Sequence, residues 1–289
     1  MKAVSTPIEV APPERAPRVT RLPLRYGVVA VLAAFLLAQL FGALASNVAN
    51  AVMPGASAAH GGAAKEALRM IPPMLASELA LILVALVTPL LASLPLRESL
   101  DLRPHRVEVF LAAAVGTVML GPLGDAAMTE LSRLFPAWTL GVVPALRETA
   151  ALVPFVALWP AFALVPGVAE ELLFRGVLQG ALGRTLRSAW IAGSAFALFH
   201  VDPVHVAGVL PLGLFLSWVA YRSSTLVSMF AHVANNSLAV ISIHSAVLDV
   251  GYGTGRDVPR EWLVGSLAVF VVAVMVIARS TRVPAGPNP

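Results

Sequence analysis

The 289-residue chain contains no cysteine, which removes disulfides, thiolate metal ligands and a cysteine nucleophile together. Charge is also scarce: Asp, Glu, Lys and Arg make up 12% of the residues, against 58% hydrophobic ones. Soluble domains carry about 25% charged residues, so this balance excludes an ordinary soluble domain and describes a polytopic membrane protein. Basic residues outnumber acidic ones, 20 to 16, but they are scattered through short loops, which argues against a nucleic-acid partner. There is no internal repeat, and the Pro-rich residues 283–289 carry no prenylation box or other lipid signal.

Long apolar runs are plentiful. Stretches long enough to cross a bilayer fall near 27–48, 72–95, 107–124, 150–182, 188–202, 205–221, 224–246 and 263–279. The chain therefore reads as an all-α, polytopic membrane helix bundle of about eight transmembrane helices. The fourth run is too long for one straight crossing and contains Pro154, Pro160 and Pro166, so it is kinked or begins with a short lead-in segment. The fifth and sixth runs are short and meet at an Asp202-Pro203 corner. Residues 1–26, rich in Pro and Arg, are expected to be a disordered tail. Ala43-Leu44-Ala45 resembles a leader-peptidase site, but the apolar run before it is longer than a leader's and reads better as an uncleaved signal anchor. The segment from about 49 to 71, with its Gly and Ala, is expected to be a loop.

Eight crossings that begin in the cytoplasm put thirteen of the 20 Lys and Arg residues on the cytoplasmic side. Lys65, Arg69, Arg133, Arg147, Arg256 and Arg260 fall on the other side, and Arg175 lies within a span. The asymmetry places the N-terminus and the C-terminus in the cytoplasm.

Ionised groups inside a span are costly and are functional candidates by default. Glu170, Glu171 and Arg175 lie within VPGVAEELLFRGVLQGAL, and Phe196 to His200 and His232 to Asn236 each place a histidine in another span. The four-residue spacing sets both members of each pair on one helix face. At ~1.5 Å per residue, Glu170 lies ~21 Å from the end marked by Arg184, and His200 ~20 Å from that marked by Arg187. His232 and Asn236 lie ~15 and ~21 Å beyond Arg222. All four sit near the midplane of a core about 30 Å thick.

A buried carboxylate and a neutral imidazole can share a water proton as general base, and Glu170 and His200 are assigned that role. His232 and Asn236, one turn apart, can donate to the oxyanion formed when water adds to an amide carbonyl. Adjacent helical residues point about 100° apart, so Glu171 does not face the same water squarely. It stands four residues before Arg175 and is assigned to orientation and charge compensation. Structural readings stand beside these: an ion pair for Glu171 and Arg175, a helix-end residue for His200, interhelical hydrogen bonding for Asn235 and Asn236. Gly176 and Gly180 form a small-residue pair suited to close helix packing beside the site. His60, His105 and His205 lie in or near loops and receive no role, and Asp202 is assigned to turn chemistry. Gly121-Pro122-Leu123-Gly124-Asp125 has the wrong spacing for an intramembrane aspartyl protease, and Gly193-Ser194-Ala195 lacks the loop of a serine one.

The ordered series Glu170-Glu171-x-x-x-Arg175, Phe196-x-x-x-His200 and His232-x-x-x-Asn236 resembles the CAAX-protease and bacteriocin-processing (Abi) family, over roughly residues 150–245. The resemblance implies an eight-helix intramembrane endopeptidase opening toward the cytoplasmic leaflet, and carries catalytic roles onto Glu170, His200, His232 and Asn236. On it the chain divides into a tail (1–26), N-terminal transmembrane helices and loops (27–149), a catalytic core (150–246) and a last helix with its short tail (247–289). The family has been read both as metalloproteases and as metal-free glutamate proteases. Glu170, His200 and His232 are the ligands available to zinc, but His-Glu-x-x-His is absent and Asn236 is a poor zinc ligand, so no required cofactor is the preferred reading. Expected partners are the lipid bilayer and a hydrophobic peptide or membrane-anchored protein; the expected location is the bacterial inner membrane. The alternative is a non-catalytic bacteriocin-immunity or scaffold protein, or a proton-coupled transporter.

Overall fold

The computed structural model describes residues 21–53, 67–138, 150–244 and 257–281. Most of the expected N-terminal tail, residues 54–66 of the expected loop and the Pro-rich C-terminal end lie outside the described residues. Among the described residues the fold is all helix: α1 (Leu24–Val52), α2 (Ile71–Leu91), the short α3 (Leu96–Ser99), α4 (Val107–Met119), α5 (Gly121–Leu134), α6 (Phe155–Leu182), α7 (Leu186–Leu198), α8 (Pro203–Arg222), α9 (Thr225–His244) and α10 (Arg260–Ser280). The Ala43-Leu44-Ala45 sequence lies inside the continuous helix α1.

Among the described residues seven helical segments are long and apolar enough to cross a membrane, with α4 and α5 together forming one of them. The remaining member of the expected eight is α7. Its 13 residues rise only ~20 Å, short of a hydrocarbon core about 30 Å thick. The chain turns back through residues 199–202, so α7 and α8 make a hairpin that begins and ends at the same end of the bundle. Asp101 fixes that end, since Arg184 reaches its carboxylate at 3.0 Å and the Thr225 N–H donates to its carbonyl at 3.2 Å. The hairpin is capped at both starts. Thr185 and Ser188 form a reciprocal capping box at α7. Asp202 Oδ1 accepts from the N–H groups of Val204 and His205 at α8, in keeping with its turn assignment. Between them Val201 is held at φ 64°, a left-handed conformation disfavoured for a β-branched residue.

Helix α1 shows how the bundle is packed. Ala30, Ala34 and Ala38 are buried, whereas Leu32, Leu36, Leu40 and Leu44 are exposed. Small residues facing inward let backbones approach, and Ser77 Oγ of α2 donates to the Ala38 carbonyl at 2.9 Å. Two further contacts position the site. A Cβ on Gly167 would lie 2.7 Å from Val233 Cγ2, and one on Gly193 2.8 Å from the Gly213 carbonyl oxygen, so α6 meets α9, and α7 meets α8, almost backbone to backbone. Gly176 and Gly180 instead face Leu100 and Ser99 at the end of the bundle.

Helix α6 settles the reading of the fourth apolar run. Pro154 stands at its N-cap, and the helix then continues through Pro160 and Pro166 without a separate lead-in. It widens into a π turn at Pro160–Leu164 and, beyond both prolines, into another at Leu172–Leu178. The N–H of Val165 bonds the Pro160 carbonyl and that of Gln179 the Phe174 carbonyl, each five residues back. Such bulges absorb a missing donor and are frequent at functional sites. Glu170 and Glu171 end the regular stretch between the two.

Candidate active site

The most buried part of the site is ionic. Arg175 donates from Nη1 to Glu171 Oε1 at 2.6 Å, and neither side chain has any solvent exposure. The other two guanidinium nitrogens are bonded as well: Nε donates to Ser217 Oγ at 3.1 Å and Nη2 to the Gly213 carbonyl at 3.0 Å. Both partners lie on α8, so Arg175 ties α6 to the hairpin. A buried ion pair is stable only when its leftover donors are satisfied in this way.

Glu171 Oε1 also receives His232 Nδ1 at 2.9 Å. The opposite nitrogen of that ring, Nε2, stands 3.6 Å from Glu170 Oε2. Adjacent glutamates that diverge around the helix thus meet at one imidazole, each at its own nitrogen. A carboxylate only accepts, so Nδ1 carries the hydrogen given to Glu171. Nε2 therefore donates only when the ring is protonated. Glu170, Glu171 and Arg175 together leave one negative charge, which a protonated His232 would cancel.

Phe196 organises the other wall. Its ring centre lies 5.1 Å from that of His200, 5.7 Å from His232 and 5.6 Å from Phe174, with the Arg175 guanidinium 4.5 Å away. His200 Nδ1 lies 3.1 Å from the carbonyl oxygen of Phe196, one turn earlier. A carbonyl cannot donate, so Nδ1 holds a hydrogen, and in the neutral ring Nε2 presents its lone pair. Asn236 Oδ1 accepts from Asn235 Nδ2 at 3.3 Å, which keeps the Asn236 amide hydrogens for other acceptors.

Glu170, His200, His232 and Asn236 all line one cavity of about 310 Å³, whose walls are largely apolar side chains of α5, α8 and α9. Glu171 and Arg175 stand behind it. Groups that received no role from the sequence also gather here. His205 packs its ring 4.7 Å from that of His200, and the buried Asp125 of α5 reaches the cavity wall. Glu78 of α2 interacts electrostatically with Glu170, and its buried Oε2 makes no hydrogen bond among the described residues. The signal that marks Glu170, an acid inside an apolar span, marks Glu78 equally.

His232 gives Nδ1 to Glu171, a contact that metal-bound histidines also make through their second nitrogen; among the described residues no group of three His, Asp or Glu side chains is arranged to hold a metal ion.

Residues 152–238 match the family model described as Type II CAAX prenyl endopeptidase Rce1-like. The matched stretch is less than a third of the chain and contains Glu170, Glu171, Arg175, His200, His232 and Asn236. At family level the match supports a CAAX-type intramembrane protease acting on a peptide or protein substrate. With the apolar helices it points to an integral membrane protein. No curated protein and no solved structure matches the chain.

Proposed function

We propose that this chain is an intramembrane endopeptidase that hydrolyses a hydrophobic or membrane-tethered peptide with water activated by Glu170 and His200. The observation that carries the reading is the position of His232. It is held between Glu170 and Glu171 on the wall of the cavity that His200 and Asn236 also line. In the first step, the water oxygen bonds to the scissile carbonyl carbon while a proton passes to the Glu170 carboxylate or to His200 Nε2. The oxyanion that forms accepts from Asn236 Nδ2 and from Nε2 of protonated His232. In the second step, the carbon–nitrogen bond breaks and the departing amine takes the proton. Glu171 and Arg175 touch no substrate; they orient the imidazole and balance its charge. The sequence assigned His232 and Asn236 as an equivalent donor pair, whereas the Nδ1 contact makes the His232 contribution conditional on protonation.

The mechanism is written without a metal, as the absence of His-Glu-x-x-His and the poor ligand quality of Asn236 favour, and the basic residues at the Asp101 end favour that end as cytoplasmic. The decisive comparison uses the purified chain in lipid nanodiscs with a farnesylated C-terminal peptide and unprenylated hydrophobic peptides. Glu170→Gln is expected to lower cleavage by roughly 10²- to 10⁴-fold with unchanged thermal unfolding, and a chelator is expected to leave the native rate intact. Full cleavage by a folded Glu170→Gln chain would remove Glu170 from the mechanism, and no cleavage of any of these peptides by the native chain would remove the enzyme reading and return the polar cluster to a scaffold or proton-relay role. Loss of activity on chelation that zinc restores would overturn the metal-free mechanism.

A further inference from the structure

The second large recess lies at the Asp101 end of the bundle, away from the cavity of the polar cluster, and its polar lining is arginine. It measures about 590 Å³ and is bordered by Arg21, Arg97, Arg103 and Arg184, with Asp101 and Glu98 as its carboxylates. Four cations against two anions leave a net charge of +2. The arginines arrive from the start of α1, from α3 and the segment after it, and from the α6–α7 turn, so the chain converges there from separate helix ends.

The recess is built rather than incidental. Asp101 is almost fully buried, Arg103 donates to both of its carboxylate oxygens, and Arg184 Nη1 approaches Oδ2 at 3.0 Å. Nη2 of Arg184 is buried and makes no hydrogen bond among the described residues. Both Asp101, at φ 54°, and Arg184, at φ 45°, occupy left-handed backbone that non-glycine residues rarely adopt. Glycine makes the seat: a Cβ on Gly183, itself at φ 101°, would lie 2.5 Å from Arg21 Nη2, and one on Gly180 3.7 Å from Arg184 Nη2. Strained conformations held by their surroundings concentrate at ligand clamps. One carboxylate shared by two guanidinium groups leaves donors over, and planar guanidinium forks suit phosphate oxygens.

We propose that this recess binds a phosphate group, as the headgroup of an anionic phospholipid or as a soluble phosphate. Its place among helix ends sets it at the depth where headgroups lie. The assignment is independent of the peptidase reading, because no side chain is shared between the recess and the cavity.

The test uses the full chain in neutral detergent, with native mass spectrometry to measure binding of dioleoyl phosphatidylglycerol, dioleoyl phosphatidylcholine and, separately, inorganic phosphate. The substituted form is Arg21→Gln with Arg97→Gln, two arginines that pair with neither carboxylate in the structure; Arg184→Gln is the second variant. Tighter binding of phosphatidylglycerol than of phosphatidylcholine, reduced roughly tenfold or more by the double substitution, supports a lipid headgroup. Phosphate binding that falls by a similar factor supports a soluble phosphate. If both variants are folded by thermal unfolding and bind each probe as the native chain does, or if the native chain binds neither anionic probe, the proposal is overturned.

Discussion

The Arg175 guanidinium lies 4.5 Å from the ring centre of Phe196, so a fully buried cation and the two histidines of the cavity pack against one aromatic ring. An unscreened charge is attracted to the ring quadrupole more strongly here than in water. Phe196 belongs to the Phe-x-x-x-His spacing, but its part in the site is to join the ionic layer to the imidazoles.

Replacing that ring should therefore impair more than packing. Phe196→Leu keeps most of the volume and is expected to cost under about 1.5 kcal/mol of stability, while peptide cleavage falls by a larger factor because Arg175, His200 and His232 lose their common support. Thermal unfolding and initial rates on the same preparation separate the effects. Equal, small losses in both would make Phe196 only a core residue.

Arg175→Met removes the cation and leaves the Glu171 charge buried. A cost of about 3–5 kcal/mol is expected, read as a large fall in the unfolding temperature or in yield of folded chain. Adding Glu171→Gln removes the uncompensated charge and should restore much of the stability without restoring cleavage. A double variant as unstable as the single one would show that packing, not charge, dominates.

The Phe196 carbonyl takes the Nδ1 hydrogen of His200, which leaves Nε2 as the basic nitrogen of the neutral ring. His200→Asn can repeat that backbone hydrogen bond but cannot act as a base, so fold and stability should survive while the rate drops by roughly 10²-fold or more. Retained cleavage would assign proton removal to Glu170 alone.

Val201 follows His200 at φ 64° and is 61% exposed, so its side chain contributes little packing. The left-handed cost for a non-glycine residue is roughly 1–2 kcal/mol, and glycine returns roughly 0.5–1 kcal/mol of that as backbone entropy. Val201→Gly is thus expected to stabilise the chain by up to about 1 kcal/mol while slowing cleavage, since the corner holding His200 loosens. A lower unfolding temperature would contradict the strain assignment.

The helical class and membrane character were legible because span length and apolar composition need no knowledge of partners. The Glu171 and Arg175 ion pair was legible for a similar reason: both ends lie on one helix, four residues apart. The His232 bond to Glu171 was not, since it joins residues 61 apart in sequence and depends on how α6 and α9 dock at Gly167. Helix α7 illustrates another limit. Its apolar run extended to residue 202, but the helix ends at Leu198, and the corner that follows carries His200 to the cavity wall. The first π turn of α6 leaves a sequence trace in Pro160, which marks an interruption without saying whether the helix breaks or widens, and the second, at Leu172–Leu178, contains no proline.

Helix α1, with alanine inside and leucine outside, reverses the size order of a water-soluble core. Enlarging Ala34, which has no exposed surface, would wedge apart two backbones, whereas trimming Leu36, which is 67% exposed, exchanges one hydrocarbon neighbour for another. Intolerance to mutation should therefore track the smallest side chains, and a substitution scale learned from globular proteins would rank this helix nearly upside down.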